Sequence, residues 1–263
     1  MSEPETGMVA IEPQQPTGLQ SPKEIVDYAA DAANRLRDIV EKQGLFSMIS
    51  GKKHLSAEAW LTVIALDNAQ ALDDYVYQVA GCVGEFWTAV SMSHTPSLRH
   101  WDGDEMSRMG VRFGKALQMT NVLRDVPRDL RIGRCYLPQS DLDELGLSPS
   151  DLLEAALSPT ARPALVRGIE TALEHYRRAE EYIVALPGRN MRLRLATLWP
   201  VLIGLATLGM VAREESWLDP GRTSRVSRKW VYRMMATSLL RVHSNSAIRR
   251  WIGRLRSDVQ RAL

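Results

Sequence analysis

Cysteine is the scarcest chemistry in this chain. Only Cys82 and Cys135 occur among 263 residues, which excludes a disulfide framework and fits a reducing compartment. Five histidines, at positions 54, 94, 100, 175 and 243, form no H-x-x-x-H or Cys-paired spacing, so no zinc site is expected. Neither sign of charge dominates: 33 Lys and Arg against 31 Asp and Glu leave a net +2. That balance makes no general field for nucleic acid, although the C-terminus is locally basic. The N-terminus lacks the apolar core of a signal peptide; the expected location is cytoplasmic, with a membrane-peripheral protein as the alternative. There is no G-x-G-x-x-G, no β-hairpin signal and no internal repeat. A single long apolar run exists, the eighteen residues Leu195–Ala212. It approaches the lower limit for a membrane span, but Pro200, Gly204 and Gly209 make it a poor lipid-facing helix, and a buried core helix is expected.

What remains is ordinary globular composition, 45% hydrophobic and 24% charged, enough for one large domain or two small ones. Residues 1–20 are rich in Pro, Gln, Glu and Gly and read as a disordered tail. Ser21-Pro22-Lys23-Glu24 is a capping box with proline at the first helical position. It opens a helix to about Gln43 with an apolar stripe of Ile25, Tyr28, Ala29, Ala32, Leu36 and Ile39. Residues 45–55 read as a loop whose Lys52, Lys53 and His54 are solvated. Ser56 caps a short helix to Leu66. Further helices run from Asp67 or Asn68 to Met92, Gly103 to Arg131, Ser158 to Leu186, Asn190 to Glu214 and Ser227 to Arg256, with an acidic turn at 141–147. The expectation is an all-α, single helical domain over 21–263. Arg249, Arg250, Arg254 and Arg256 read as a solvated basic face, with an anionic membrane surface as the alternative.

The most informative stretch is Gln118–Pro138, QMTNVLRDVPRDLRIGRCYLP. Asn121, Asp125 and Asp129 recur at i, i+4, i+8, which on a helix aligns an amide and two carboxylates on one face. Such oxygens suit Mg²⁺, which takes one or two carboxylates, keeps waters and completes its shell with phosphate. Arg124, Arg128, Arg131 and Arg134 crowd the same segment, and guanidinium forks bind phosphate oxygens bidentately. The alternative is a solvated helix laced with Asp–Arg pairs. Against it stand Gln118, Thr120 and Asn121 set among Phe113, Leu117, Met119 and Leu123, and the abrupt exit Gly133-Arg134-Cys135-Tyr136-Leu137-Pro138. Pro127 predicts a kink or early end between Asp125 and Asp129.

The second informative stretch is Leu72–Trp87, LDDYVYQVAGCVGEFW. Gly81 and Gly84 each cost about 1 kcal/mol inside a helix, so something approaches that face closely. A packed helix and the wall of an apolar channel explain this equally well.

Together these stretches resemble the squalene and phytoene synthases, the head-to-head prenyltransferases. LQMTNVLRDVPRDLRIGRCYLP resembles that family's second aspartate-rich motif, with Arg128 where many members carry glutamate. YVYQVAGCVG resembles its Y-C-Y-x-V-A-G-x-V-G motif, with Val76 for the usual cysteine. The resemblance implies a helical bundle around a prenyl pocket and a prenyl diphosphate substrate. It implies Tyr75 as catalytic, and Val79, Val83 and Gly84 as pocket lining. It implies Asn121, Asp125 and Asp129 as Mg²⁺ ligands, and Gln118, Arg124, Arg134 and, more weakly, Arg225 as substrate-binding.

The family pairs two aspartate banks. Upstream of Tyr75 the only candidate is Asp27-x-x-x-Asp31, several turns too close, so the expectation is a member lacking the family's N-terminal helices. Three readings are open. One is condensation of two farnesyl diphosphates to squalene, with NADPH for its reductive step; another is the phytoene-type condensation of geranylgeranyl diphosphate. The third is a non-catalytic member, or one completed by a partner chain carrying the first motif. Similarity around GEFWT and DVPRDLRIGRCYLP favours squalene.

Overall fold

The computed structural model describes residues 46–49 and 52–55 by their backbone, and residues 68–222 and 224–263 in full. All belong to the compact unit Val40–Leu263. The expected tail at 1–20, the helices at 21–43 and 56–66, and the pair Asp27 and Asp31 lie outside the described residues.

The segment expected to be a loop at 45–55 holds a two-stranded antiparallel ribbon instead. Strand β1 (Phe46–Ile49) pairs with β2 (Lys52–Leu55), Phe46 opposite Leu55 and Ile49 opposite Lys52. Everything else regular among the described residues is helical.

Asn68 opens α1 (Ala69–Val76) as an N-cap, its side-chain oxygen accepting from the Ala71 amide at 3.0 Å. The expected single helix is then interrupted. Tyr77–Gly81 forms one π-helical turn before α2 (Cys82–His94). The inserted residue turns α2 about its axis relative to α1, as π-bulges do. It leaves Gly81 against the Tyr77 ring and Gly84 against the next helix.

That next helix, α3 (Gly103–Arg131), starts at Asp102, whose carboxylate accepts from the Glu105 amide at 3.1 Å. A side chain at Gly84 would collide with the Gly110 carbonyl, and one at Gly114 with the Ala80 carbonyl. The glycines therefore let two backbones touch, and packing is the role the structure gives to Gly84. Pro127 does not end α3, which continues through it to Arg131. Val122, Leu123, Val126, Pro127 and Leu130 are all buried. Their burial, at roughly 1.5–3 kcal/mol per large apolar side chain, outweighs the ~3 kcal/mol cost of an internal proline.

Beyond Arg131 the chain reverses at Gly133, which has φ +77°. The Gly133 amide donates to the Leu130 carbonyl at 3.1 Å and the Arg134 amide to the Asp129 carbonyl at 2.9 Å. These two bonds satisfy the last carbonyls of the helix, and the left-handed step favours glycine. The reversal also carries Arg134 and Tyr136 back beside the helix that bears the aspartates.

A short α4 (Gln139–Asp143) leads to α5 (Ser158–Ala185) and α6 (Met191–Arg213). Helices α3, α5 and α6 enclose the core. Leu165, Ile169, Tyr176, Leu198, Leu202 and Leu205 are fully buried there. Helix α6 is long and apolar enough to cross a membrane, yet most of it is interior. The expected final helix is two helices, α7 (Arg228–Arg241) and α8 (Asn245–Gln260). Ser244 accounts for the break: in an extended conformation its hydroxyl accepts from the Ala247 amide at 3.2 Å, starting α8 afresh.

Candidate active site

Helix α3 presents the polar row. Asn121 is exposed, Asp125 and Asp129 are half-buried, and Gln118 lies half-buried nearly two turns before Asp125. Arg124 clamps Asp125, its Nε donating to Oδ1 at 2.9 Å and its Nη2 to Oδ2. Among the described residues Asp129 has no such clamp. Burial and the neighbouring Asp125 charge push its carboxyl above the usual range, while Arg134, Arg128 and Arg124 pull it back. The Arg124 guanidinium is held the more firmly charged for its hydrogen bond to the Asp125 carboxylate.

Tyr75, from α1, enters beside this row. Its ring stacks on Tyr136 with centroids 4.9 Å apart and planes 28° apart. Burial raises the Tyr75 phenol most; the adjacent Tyr136 hydroxyl and the charge of Asp129 raise it further, and Arg134 lowers it. Tyr75 is thus a neutral phenol within the field of Asp129 and Arg134. The fold brings together Tyr75, Arg124, Asp125, Asp129 and Arg134, all read from the sequence as site residues, and adds Tyr136. No sequence signal separated Tyr136 from a structural tyrosine; its place in the exit after Gly133 was the only hint.

The row fits a hard cation. Among the described residues no cluster of three or more His, Cys, Asp or Glu side chains that could hold a metal exists, so these residues offer an ion two carboxylates here. That matches Mg²⁺ chemistry. The mutual repulsion recorded at Asp129 is the strain a bound cation would relieve. Asp125 would have to exchange its Arg124 contact.

Val79 and Val83 are 44% and 56% exposed and form an apolar stripe with Phe86 and Trp87, also exposed. Arg225 lines a cavity of about 440 Å³ between α6, α7 and α8, with Gly209, Arg213, Trp230 and Asp258. No residue of the aspartate row lines that cavity.

A second polar cluster, unforeseen in the sequence, ties the site helices together. Lys115 of α3 is 6% exposed and its Nζ meets Asp73 Oδ2 of α1 at 2.6 Å. His175 of α5 is buried with Nε2 3.8 Å from Asp73 Oδ1, and Arg112 Nη1 is 3.3 Å from His175 Nδ1. Burial first, then the Arg112 charge, lowers the imidazole to about 4. Lys115 between Gly114 and Ala116 was the visible clue, a cation on a small-residue face.

A family model described as "Squalene/phytoene synthase" matches residues 20–230. A 4,4'-diapophytoene synthase of Staphylococcus haemolyticus is 34% identical over 145 residues, 55% of this chain and 46% of that protein. A phytoene synthase of Arthrospira platensis is 38% identical over 120 residues, 44% of this chain and 39% of that protein. A bifunctional lycopene cyclase/phytoene synthase of Arthroderma gypseum is 32% identical over 167 residues, 61% of this chain and 27% of that protein. The chain therefore spans less than half the length of these relatives. The solved structure of TcSQS with the ligand BPH1237 superposes with TM-score 0.62 at 19% identity, over 78% of this chain and 64% of that one, a likeness of fold.

Proposed function

Since the chain belongs to the squalene/phytoene synthase family, we propose that it joins two prenyl diphosphates head to head. The observation that carries this reading is the convergence of Arg124, Asp125, Asp129 and Arg134 on one end of α3, beside the stacked pair Tyr75 and Tyr136. Arg124 and Arg134 offer guanidinium forks to diphosphate oxygens. Asn121, Asp125 and Asp129 would hold Mg²⁺, which when bound stabilises charge on the departing diphosphate. The Tyr75 hydroxyl, kept protonated by burial and by Tyr136, can donate a hydrogen bond to that charge as it develops. A second carboxylate bank would come from Asp27 and Asp31 or from a partner chain.

Our reading of the product is the unreduced, phytoene-type hydrocarbon. The relatives include phytoene and diapophytoene synthases, and that product needs no reductant. Squalene, with NADPH, is the second reading, supported by the fold likeness and by the sequence around GEFWT. The test is product analysis of the purified chain with Mg²⁺ and either farnesyl or geranylgeranyl diphosphate, with and without NADPH, beside Asp125→Asn. A condensed hydrocarbon formed without NADPH and lost in the variant is expected. Reduced product would favour squalene. No product, with Mg²⁺-dependent diphosphate binding retained, would leave a binding protein in need of a partner.

A further inference from the structure

From Pro220 to Ser257 the chain contains no acidic residue and ten lysines and arginines. The fold sorts these cations into two sets. Arg249 and Arg256 turn toward α5, where Glu180 takes both, at 3.2 and 3.5 Å; Arg249 stays solvated at 53% exposed, as expected, whereas Arg256 is only 25% exposed. Arg241, Arg250 and Arg254 turn the other way. With Ala247 and Trp251 they line a cavity of about 150 Å³ between α7 and α8. Among the described residues no carboxylate pairs with any of the three; Arg241 lies 5.0 Å over the Trp251 ring.

The adjoining outer face of α7 is apolar where a solvated helix would be polar. Leu240 is 86% exposed, Tyr232 69% and Leu239 51%. They share one arc of the helix with the exposed Arg228, Lys229 and Arg233. The inner face is already occupied: Met234 is buried, and the Trp199 indole donates to the buried Ser238 hydroxyl at 2.8 Å. Hydrophobic burial within the fold thus leaves Tyr232, Leu239 and Leu240 outside, beside uncompensated cations.

We propose that α7 and the α7–α8 corner dock on an anionic lipid bilayer. Leu239, Leu240 and Tyr232 enter the headgroup region, Arg228, Lys229 and Arg233 meet its negative surface, and Arg241, Arg250 and Arg254 hold a lipid phosphate. Apolar side chains between cations, with no acid to repel the surface, are what an interfacial helix requires. The charge term commits the occupant to an anionic membrane. The proposal does not depend on the chain's catalytic activity.

The test is flotation of the full chain with vesicles of phosphatidylcholine, and with equimolar phosphatidylcholine and phosphatidylglycerol. Binding to the anionic vesicles alone, weakened by salt, is expected. Each arginine contributes about five-fold, so Arg241→Gln/Arg250→Gln/Arg254→Gln should weaken binding about a hundred-fold. Leu239→Ser/Leu240→Ser, at exposed positions, should abolish flotation with an unchanged melting temperature. Equal binding to neutral vesicles, or undiminished binding by the arginine variant, overturns the proposal. So does binding of inorganic phosphate or single-stranded RNA without vesicle binding. Self-association abolished by the leucine variant, with no flotation, would assign the face to a second copy instead.

Discussion

Tyr75 and Tyr136 lie 61 positions apart in sequence and stack with ring centroids 4.9 Å apart. Burial raises the Tyr75 phenol most, and the neighbouring Tyr136 hydroxyl raises it further, so Tyr136 both sets the plane of the Tyr75 ring and helps keep its hydroxyl protonated. Tyr136→Phe keeps the stack and removes that neighbouring hydroxyl. A polar neighbour of this kind contributes about 1 kcal/mol, so turnover should fall about five-fold with KM and melting temperature nearly unchanged. Tyr75→Phe should cost far more turnover at equal stability. Steady-state kinetics beside thermal unfolding checks both.

Asp129 carries a carboxyl raised above its ordinary 3.8 by burial and by Asp125. The folded state then binds more protons than the unfolded one just above that value. Stability should therefore fall as pH rises through the carboxylate range, and stay lower at neutral pH. Asp129→Asn should raise the metal-free melting temperature at neutral pH and have little effect below the ordinary carboxylate value. Adding Mg²⁺ should stabilise the native chain more than the variant. A metal-free variant no more stable than the native chain would show that the carboxyl is not strained.

His175 shifts the other way, from 6.5 to about 4, through burial and then Arg112, with Lys115 adding to this and Asp73 and Glu174 opposing it. For a base, a lowered folded value means that the unfolded state binds the extra proton. Stability is present above 6.5 and lost as pH falls toward 4. His175→Gln should flatten the stability profile across that window, measured by urea unfolding at a series of pH values.

Lys115 and Asp73 hold α3 to α1 at the level of Tyr75. Asp73→Asn leaves a buried ammonium without its counter-charge. Because Asp73 is itself about one-third exposed, we expect a loss of about 2–3 kcal/mol, below the full value for a wholly buried pair. Lys115→Met combined with Asp73→Leu should recover most of it. A double-variant cycle in denaturant reads the coupling.

Gly84 and Gly253 are both helical glycines with opposite surroundings. A side chain at Gly84 meets the Gly110 carbonyl, whereas nothing lies within 4 Å at Gly253. Gly84→Ala should destabilise the fold by about 1–3 kcal/mol. Gly253→Ala should stabilise it by roughly 0.5–1 kcal/mol. Equilibrium unfolding of the two alanine variants decides whether the α2–α3 seam is held by backbone contact.

The sequence by itself determined the helices and the polar row. Helical period suffices to place α3, α5 and α6, and i, i+4, i+8 spacing puts Asn121, Asp125 and Asp129 on one face in any α-helix. These are local consequences of chain geometry. Tertiary structure decided the rest. Pro127 stays helical because the packing around it outweighs its local cost. Gly84 is a contact and not a channel wall, since only the position of Gly110 distinguishes the two. Tyr136 reaches Tyr75, Lys115 reaches Asp73, and Glu180 takes Arg249 and Arg256 while Arg241, Arg250 and Arg254 go without an acid. Each of these depends on which helices lie side by side, and a linear pattern of residues does not carry that information.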